Sequence, residues 1–214
     1  MVGPLHVGHE HLVILARHRD TGEVVTIKFA GDEGAAEYER ARQVEEYCRT
    51  HSIESPLPPS VAYDAKTKAI INKGVGSHDA TGTRVFVPAR TLEDLLRNEP
   101  PLFGASEANR ERTALVIKLL REKVETLHAA GIVHRDIKPK NVLVTQDSAG
   151  KVRVWLIDLG VARRNGQENG PTIEGTTGYM SANHKAGGPA RFADDDIGLE
   201  ITLAQIRSGE LLLP

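Results

Sequence analysis

"GIVHRDIKPKNVLV", residues 131–144, places Asp136 directly after the basic pair His134-Arg135, with Lys138 two residues on and Asn141 five on. A carboxylate, an ammonium and an amide thus share one short loop between apolar runs. The flanks argue against a solvated loop of random charges. Upstream, residues 108–130 carry Ile117, Leu120, Val124 and Leu127 on one helical face, and Gly131 has the place of a C-terminal cap. Downstream, Val142 to Val144 and "VRVWLI", the latter ending at Asp158, read as two strands around a turn. A polar loop between a helix and a strand is a scaffolded loop, the usual seat of reacting groups.

Working outward, "HLVILARHRDTGEVVTIKF" predicts strands at 11–17 and 23–29, joined by a tight turn at Asp20-Thr21-Gly22. Residues 34–49 predict a helix whose inner face carries Glu37, Ala41, Val44 and Cys48. A Pro- and Ser-rich loop, "SIESPLPPS", leads to weaker strand patterns at 69–72 and 84–88. Thr91 and Asp94 make a capping pattern before "LEDLLRN", a short helix stopped by Pro100-Pro101. Past Asp158, residues 163–177 contain three Gly and one Pro and are expected to be mobile, and 197–207 reads as a last helix. No internal repeat is present. Strands with one helix, followed mostly by helices, predict an α+β protein of two lobes, divided into 1–88 and 89–214.

Composition sets the outer bounds. The 214 residues are 40% hydrophobic and 26% charged with a formal net charge of −2, enough to bury a core and unlike a disordered or fibrous chain. That balance exerts no global pull toward nucleic acid. No apolar run approaches the ~20 residues needed to span a bilayer, and "MVGPLHVGHEHLV" lacks the apolar stretch of a signal peptide. Cys48 stands alone, which excludes an intrachain disulfide and suits a reducing compartment. An intracellular, cytoplasmic protein is expected, without nucleic-acid or membrane partners.

The loop at 134–141 has the spacing of a protein kinase catalytic loop, His-Arg-Asp with Asn five residues after the Asp. Transfer of a γ-phosphoryl group requires positioned charge more than covalent chemistry. Asp136 has the place of the carboxylate that orients the attacking hydroxyl and accepts its proton. Lys138 offsets charge on the phosphoryl oxygens, and the Asn141 amide oxygen suits a metal. Twenty-two residues after Asp136, Asp158-Leu159-Gly160 ends an apolar strand, a rigid mount for a Mg²⁺-binding carboxylate. In "VVTIK", Lys28 is the expected grip on the α- and β-phosphates, with Glu37 as its helix partner and Glu33 and Glu39 as rivals.

Together these residues resemble the catalytic domain of a eukaryotic-type Ser/Thr protein kinase, in parts the casein kinase 1 group. "AEYERARQV", "TLEDL" at 91–95, "VWLIDLGVA" and "GTTGYMSANHKAG" at 175–187 carry that likeness. Ser181-Ala182-Asn183 stands where most kinases have Ala-Pro-Glu and that group has Ser-Ile-Asn. The likeness implies ATP and Mg²⁺ as cofactors, a protein substrate, and an activation segment at 158–183. It implies a nucleotide site built from Gly8, Val13, Lys28, Glu37, Phe86, Ala89, Leu143 and Ile157, with Phe86 guarding the hinge at 85–90. Asn141 and Asp158 would hold the metal. Thr176 would bond near Asp136 and Lys138, and Lys138 marks Ser/Thr rather than Tyr specificity. Asp195 or Asp196 would brace the catalytic loop. Arg135, with Arg163 and Arg164, would receive a phosphate placed on Thr172 or Thr177.

Four departures accompany the resemblance. The nucleotide-covering loop, 6–11, keeps Gly8 alone of three glycines, which bare backbone contact with phosphates favours. Thr26 replaces the usual Ala beside adenine, and Pro88 lacks a backbone donor. The likeness stops before several lower-lobe helices, so the faces at 112–130 and 197–207 are expected either to be those of a compact variant or to be covered by a second copy or a partner. A pseudokinase scaffold is the alternative these departures favour, and a small-molecule phosphotransferase is a third reading.

Overall fold

A computed structural model describes residues 4–7, 12–78, 86–99, 103–104, 106–147 and 150–211 of the chain. Strands β1 (Pro4–Val7), β2 (Leu12–Arg17), β3 (Val24–Phe29), β4 (Ser60–Asp64) and β5 (Ala69–Lys73) form an antiparallel sheet in the order β1-β2-β3-β5-β4. Gly22, at φ +71°, allows the tight return from β2 to β3, closed by the His18 N–H donating to the Glu23 carbonyl at 2.7 Å. Register sets Lys28 opposite Ile70 and Thr26 opposite Asn72. Residues 6 and 7, expected in the nucleotide-covering loop, belong to β1, and Gly8 to His11 lie outside the described residues.

Helix α1 (Gly34–His51) runs two residues past the expected end and is capped by Ser52 in the left-handed region at φ 55°. Its buried residues are Gly34, Glu37, Val44 and Cys48, while Ala41 of the expected face is only partly buried. The following segment is fastened to the lower half of the molecule. The Leu156 N–H donates to the Pro56 carbonyl at 2.8 Å, and Lys123 pairs with Glu54 at 3.1 Å while donating to the Ser55 carbonyl at 3.3 Å.

The 84–88 strand pattern proves to be β7 (Phe86–Pro88), which pairs with β6 (Gly76–His78) in a two-stranded ribbon apart from the main sheet. Then come β8 (Arg90–Thr91), α2 (Leu92–Asn98) and α3 (Glu107–Ala129). Thr91 caps α2, its Oγ1 accepting from the Asp94 N–H at 3.0 Å. Past α3 lie β9 (Ile132–Val133), a 3-10 turn at Pro139–Asn141, β10 (Val142–Gln146), β11 (Val152–Leu156) and β12 (Arg163–Arg164). The chain closes with α4 (Ala182–Lys185) and α5 (Ala193–Ser208). α5 starts four residues before the expected 197, because Asp194, Asp195 and Asp196 fill its first turn. Carboxylates are favoured there by the helix dipole, yet they hide the start from an apolar pattern.

The core lies where α3, β10, β11 and α5 meet. Leu120, Leu127, Val142, Leu156, Leu203 and Ile206 have no exposed surface, and Val44 and Cys48 of α1 join them. Each such side chain contributes about 1.5–3 kcal/mol through burial. α5 approaches closest at Gly198, where a Cβ would stand 2.6 Å from the Ile137 carbonyl oxygen. The expected bare apolar faces are small. On α3 and α5, the exposed large hydrophobics among the described residues are Leu115 and Ile197, and Arg121 bridges to Glu200 at 2.6 Å. No helix among the described residues is long and apolar enough to cross a membrane.

Candidate active site

The loop between β9 and β10 fixes Asp136 from several sides. Asn141 Nδ2 donates to its Oδ2 and to its backbone carbonyl, both at 2.9 Å. Lys138 Nζ lies 2.7 Å from Oδ2 and donates to Thr176 Oγ1 at 2.5 Å. The Thr176 N–H donates to Oδ1 at 3.0 Å, so the contact expected between Thr176 and this pair is present. Beneath the loop, Asp195 accepts from the backbone N–H groups of His134 at 2.8 Å and Arg135 at 2.6 Å, and His128 Nε2 lies 2.7 Å away. Asp195 is thus the brace, while Asp196 is exposed. Arg135 needs that support, since it holds φ +68°, a strained conformation for a residue with a Cβ. Asp194 serves the neighbouring turn, accepting from Ser181 Oγ at 2.6 Å and from the Asn183 amide at 3.1 Å.

Lys28 faces this loop from the sheet above. Its ammonium lies 2.8 Å from Glu37 and 2.7 Å from Asp158. Burial works against its charge, but Glu37 and then Asp158 outweigh burial and hold the ammonium above the ordinary lysine range. Glu33 and Glu39 are exposed, so Glu37 is the partner. Asp158 also sits at φ +68°, and the turn after it is held by Arg40, whose guanidinium donates to the carbonyls of Leu159 and Gly160 at 2.9 Å each.

Lys28, Glu37, Asn141 and Asp158 line one cavity of about 340 Å³. Val13, Leu143, Ile157 and Ala89 give it apolar walls. Phe86, expected to guard the hinge, sits on the β6–β7 ribbon, and its side chain lies outside the described residues. The residue opposite Thr26 in the main sheet is Asn72, which lines the cavity with Thr26. The ribbon's base is closed by the Ala89 N–H donating to the Val75 carbonyl at 2.9 Å. A second cavity, of about 250 Å³, opens beside the first, with Lys138, Thr176 and Tyr179 in its wall and Glu93 and Lys140 shared between the two.

The arginines read as a phosphate receiver are occupied. Arg163 pairs with Glu174 at 3.0 Å, Arg164 donates to Gln43 at 3.1 Å, and Arg135 donates to the Val161 carbonyl at 3.2 Å. Thr172 and Thr177 are exposed. The 163–177 segment, expected to be mobile, is tied by Arg163–Glu174, by the Gly166 N–H to Ala190 at 2.7 Å and by Asn169 to Gly188 at 2.6 Å. Sequence reasoning missed Asn72 and Arg40. The polar Asn inside "AIINK" and the placing of Arg40 one turn after Glu37 were the signals present.

The family model for the protein kinase domain matches residues 5–210. A probable serine/threonine-protein kinase, PknB, of Lactococcus lactis is 30% identical over 129 residues, which cover 59% of this chain and 19% of that protein. A probable casein kinase I homolog of Encephalitozoon cuniculi is 33% identical over 105 residues, 45% of this chain and 30% of that protein. The serine/threonine-protein kinase pkn2 of Myxococcus xanthus is 26% identical over 164 residues, 74% of this chain and 19% of that protein. The matched stretches thus span less than a third of the length of each of these relatives.

Proposed function

Because the chain belongs to the protein kinase domain family, we propose that it transfers the γ-phosphoryl group of ATP to Ser or Thr hydroxyls of a protein. One observation carries the reading: both carboxylate oxygens of Asp136 are fixed by Asn141, Lys138 and Thr176 beside the cleft where Lys28, Glu37 and Asp158 converge.

Asp136 orients the acceptor hydroxyl and takes up its proton as the oxygen attacks phosphorus. Lys138 neutralises charge gathering on the moving phosphoryl group, and Thr176 fixes the Lys138 ammonium beside it. Lys28, aligned by Glu37, grips the α- and β-phosphates. The cavity of about 340 Å³ falls within the range of small-ligand sites. Asn141 turns its amide NH₂ to Asp136, which leaves its oxygen for a hard cation, and Asp158 supplies a carboxylate. Mg²⁺ takes few protein oxygens and completes its shell with phosphates, so this pair fits it. When bound, the ion would offset charge between the β- and γ-phosphates. The second cavity, walled by Lys138, Thr176 and Tyr179, is where the protein acceptor would dock. We place the division of the lobes at 88/89, at the foot of the β6–β7 ribbon.

Incubation with radiolabelled ATP and Mg²⁺ tests the reading, with Asp136→Asn and Asp158→Asn as controls. Wild type labels a Ser/Thr protein acceptor. Asp136→Asn abolishes transfer while binding ATP, and Asp158→Asn loses the Mg²⁺-dependent part of that binding. Wild-type protein inert toward every acceptor would sink the proposal.

A further inference from the structure

Asp158 stands in a left-handed backbone conformation, at φ +68°, that a residue with a Cβ holds only when its surroundings impose it. A contact from α1 reaches the turn that follows it. Arg40 Nε donates to the Leu159 carbonyl at 3.1 Å, and Nη2 donates to Leu159 and Gly160 at 2.9 Å each. Arg40 follows Glu37 by three residues, so one side of α1 presents a carboxylate to Lys28 and a guanidinium fork to the turn after Asp158. One helical turn therefore supplies one partner of Lys28, Glu37, and holds the turn that follows the other, Asp158.

We propose that Arg40 is a positioning residue that locks α1 to the Asp158-Leu159-Gly160 turn, so that Glu37 and Asp158 reach Lys28 together. Arg40 lines neither of the two cavities and acts through the turn after Asp158. Lysine cannot replace it fully, because a single ammonium lacks the planar fork that serves two successive carbonyls. The proposal rests on the kinase reading above, and its test separates the two.

The test compares Arg40→Ala, Arg40→Lys and, as a control for α1 itself, Arg49→Ala, whose wild-type side chain pairs with Glu46 on the exposed face. Rates are measured with dephosphorylated casein and ATP at saturating Mg²⁺. ATP affinity is measured by calorimetry with and without Mg²⁺. Displacing a catalytic group by about 1 Å lowers the rate by up to about a hundredfold. Arg40→Ala is accordingly expected to lose about 10–100-fold in kcat, with a KM for ATP that rises no further than the lost Mg²⁺-dependent gain in affinity. It should also lose the gain in ATP affinity that Mg²⁺ confers, while its Mg²⁺-free affinity stays at the wild-type level. Arg40→Lys recovers part of both, and Arg49→Ala matches wild type. Should Arg40→Ala fail to fold, Arg40→Gln, with one amide donor, takes its place in the comparison.

A folded Arg40→Ala with wild-type kcat and wild-type Mg²⁺ gain overturns the lock, as does Arg40→Lys no better than Arg40→Ala. If wild type transfers no phosphate to casein or to any other protein acceptor, the kinase reading fails, and the Mg²⁺ gain alone decides for or against Arg40. If wild type binds no ATP, both fall.

Discussion

At Lys28 one ammonium meets two carboxylates, and the side chains of Lys28 and Glu37 are only 12% and 9% exposed. Removing one member of such a group leaves the others desolvated without a partner, which costs more than the intact group contributes. Lys28→Met is expected to lower stability by about 3 kcal/mol as well as abolish transfer. Urea denaturation against wild type checks the first effect. The pH dependence has a definite sign. With its folded value raised above 10.5, the contribution of Lys28 is fully present below 10.5 and disappears only as pH climbs through the higher folded value. At this scale the sequence was most readable where chemistry is local: Asp136, Lys138 and Asn141 sit within six residues, with Arg135 and His134 beside them. Arg40 was hidden because its acceptor, Leu159, is 119 residues away, and no local pattern records that pairing.

Among the elements, α4 is four residues long, yet it seats His184 with no exposed surface against the catalytic loop. A Cβ on Gly175 would meet both the Arg135 carbonyl at 3.2 Å and His184 Cε1 at 3.3 Å. Burial first, and the charge of Arg135 second, push the imidazole below 6.5, against the opposing pull of Asp194, Glu174 and Asp195. The unfolded chain therefore binds this proton more readily, and stability declines as pH falls below 6.5 toward the depressed folded value. Melting temperatures between about pH 5 and pH 7.5 should fall on acidification, and less steeply in His184→Gln. Long apolar elements were recoverable from periodicity: α1 and α3 lie within a few residues of their expected spans. β4 escaped because it is a half-buried strand with a register shift between Ser60 and Ala62, which blurs alternation. The pairing of β7 was hidden for a related reason. "VFVP" has a strand's composition, and only pairing reveals that its partner is β6 rather than the sheet of Lys28.

Over the whole molecule, α5 and the catalytic loop are packed to the limit of glycine. Gly198→Ala would drive a methyl to 2.6 Å from the Ile137 oxygen, a backbone atom that cannot swing aside. Overpacking of this kind is expected to cost about 1–3 kcal/mol, and the displaced loop carries Asp136 with it. Chemical denaturation and the labelling assay should therefore decline together in this variant. The two-part α+β layout was evident from the order of elements, whereas the fastening of residues 54–56 to α3 and β11 was not, since it depends on carbonyls and one buried lysine. That fastening makes α1 a lever. From Ser52 to Glu37 the arm is about 22 Å, and a tilt of about 10° sweeps its far end through about 4 Å. The gap between Lys28 and Glu37 is only 2.8 Å, so a rotation too small to disturb the fulcrum would part them. Restraints near the fulcrum have little mechanical advantage over that sweep, whereas Arg40 resists it far out on the arm, where a modest force opposes the greatest torque.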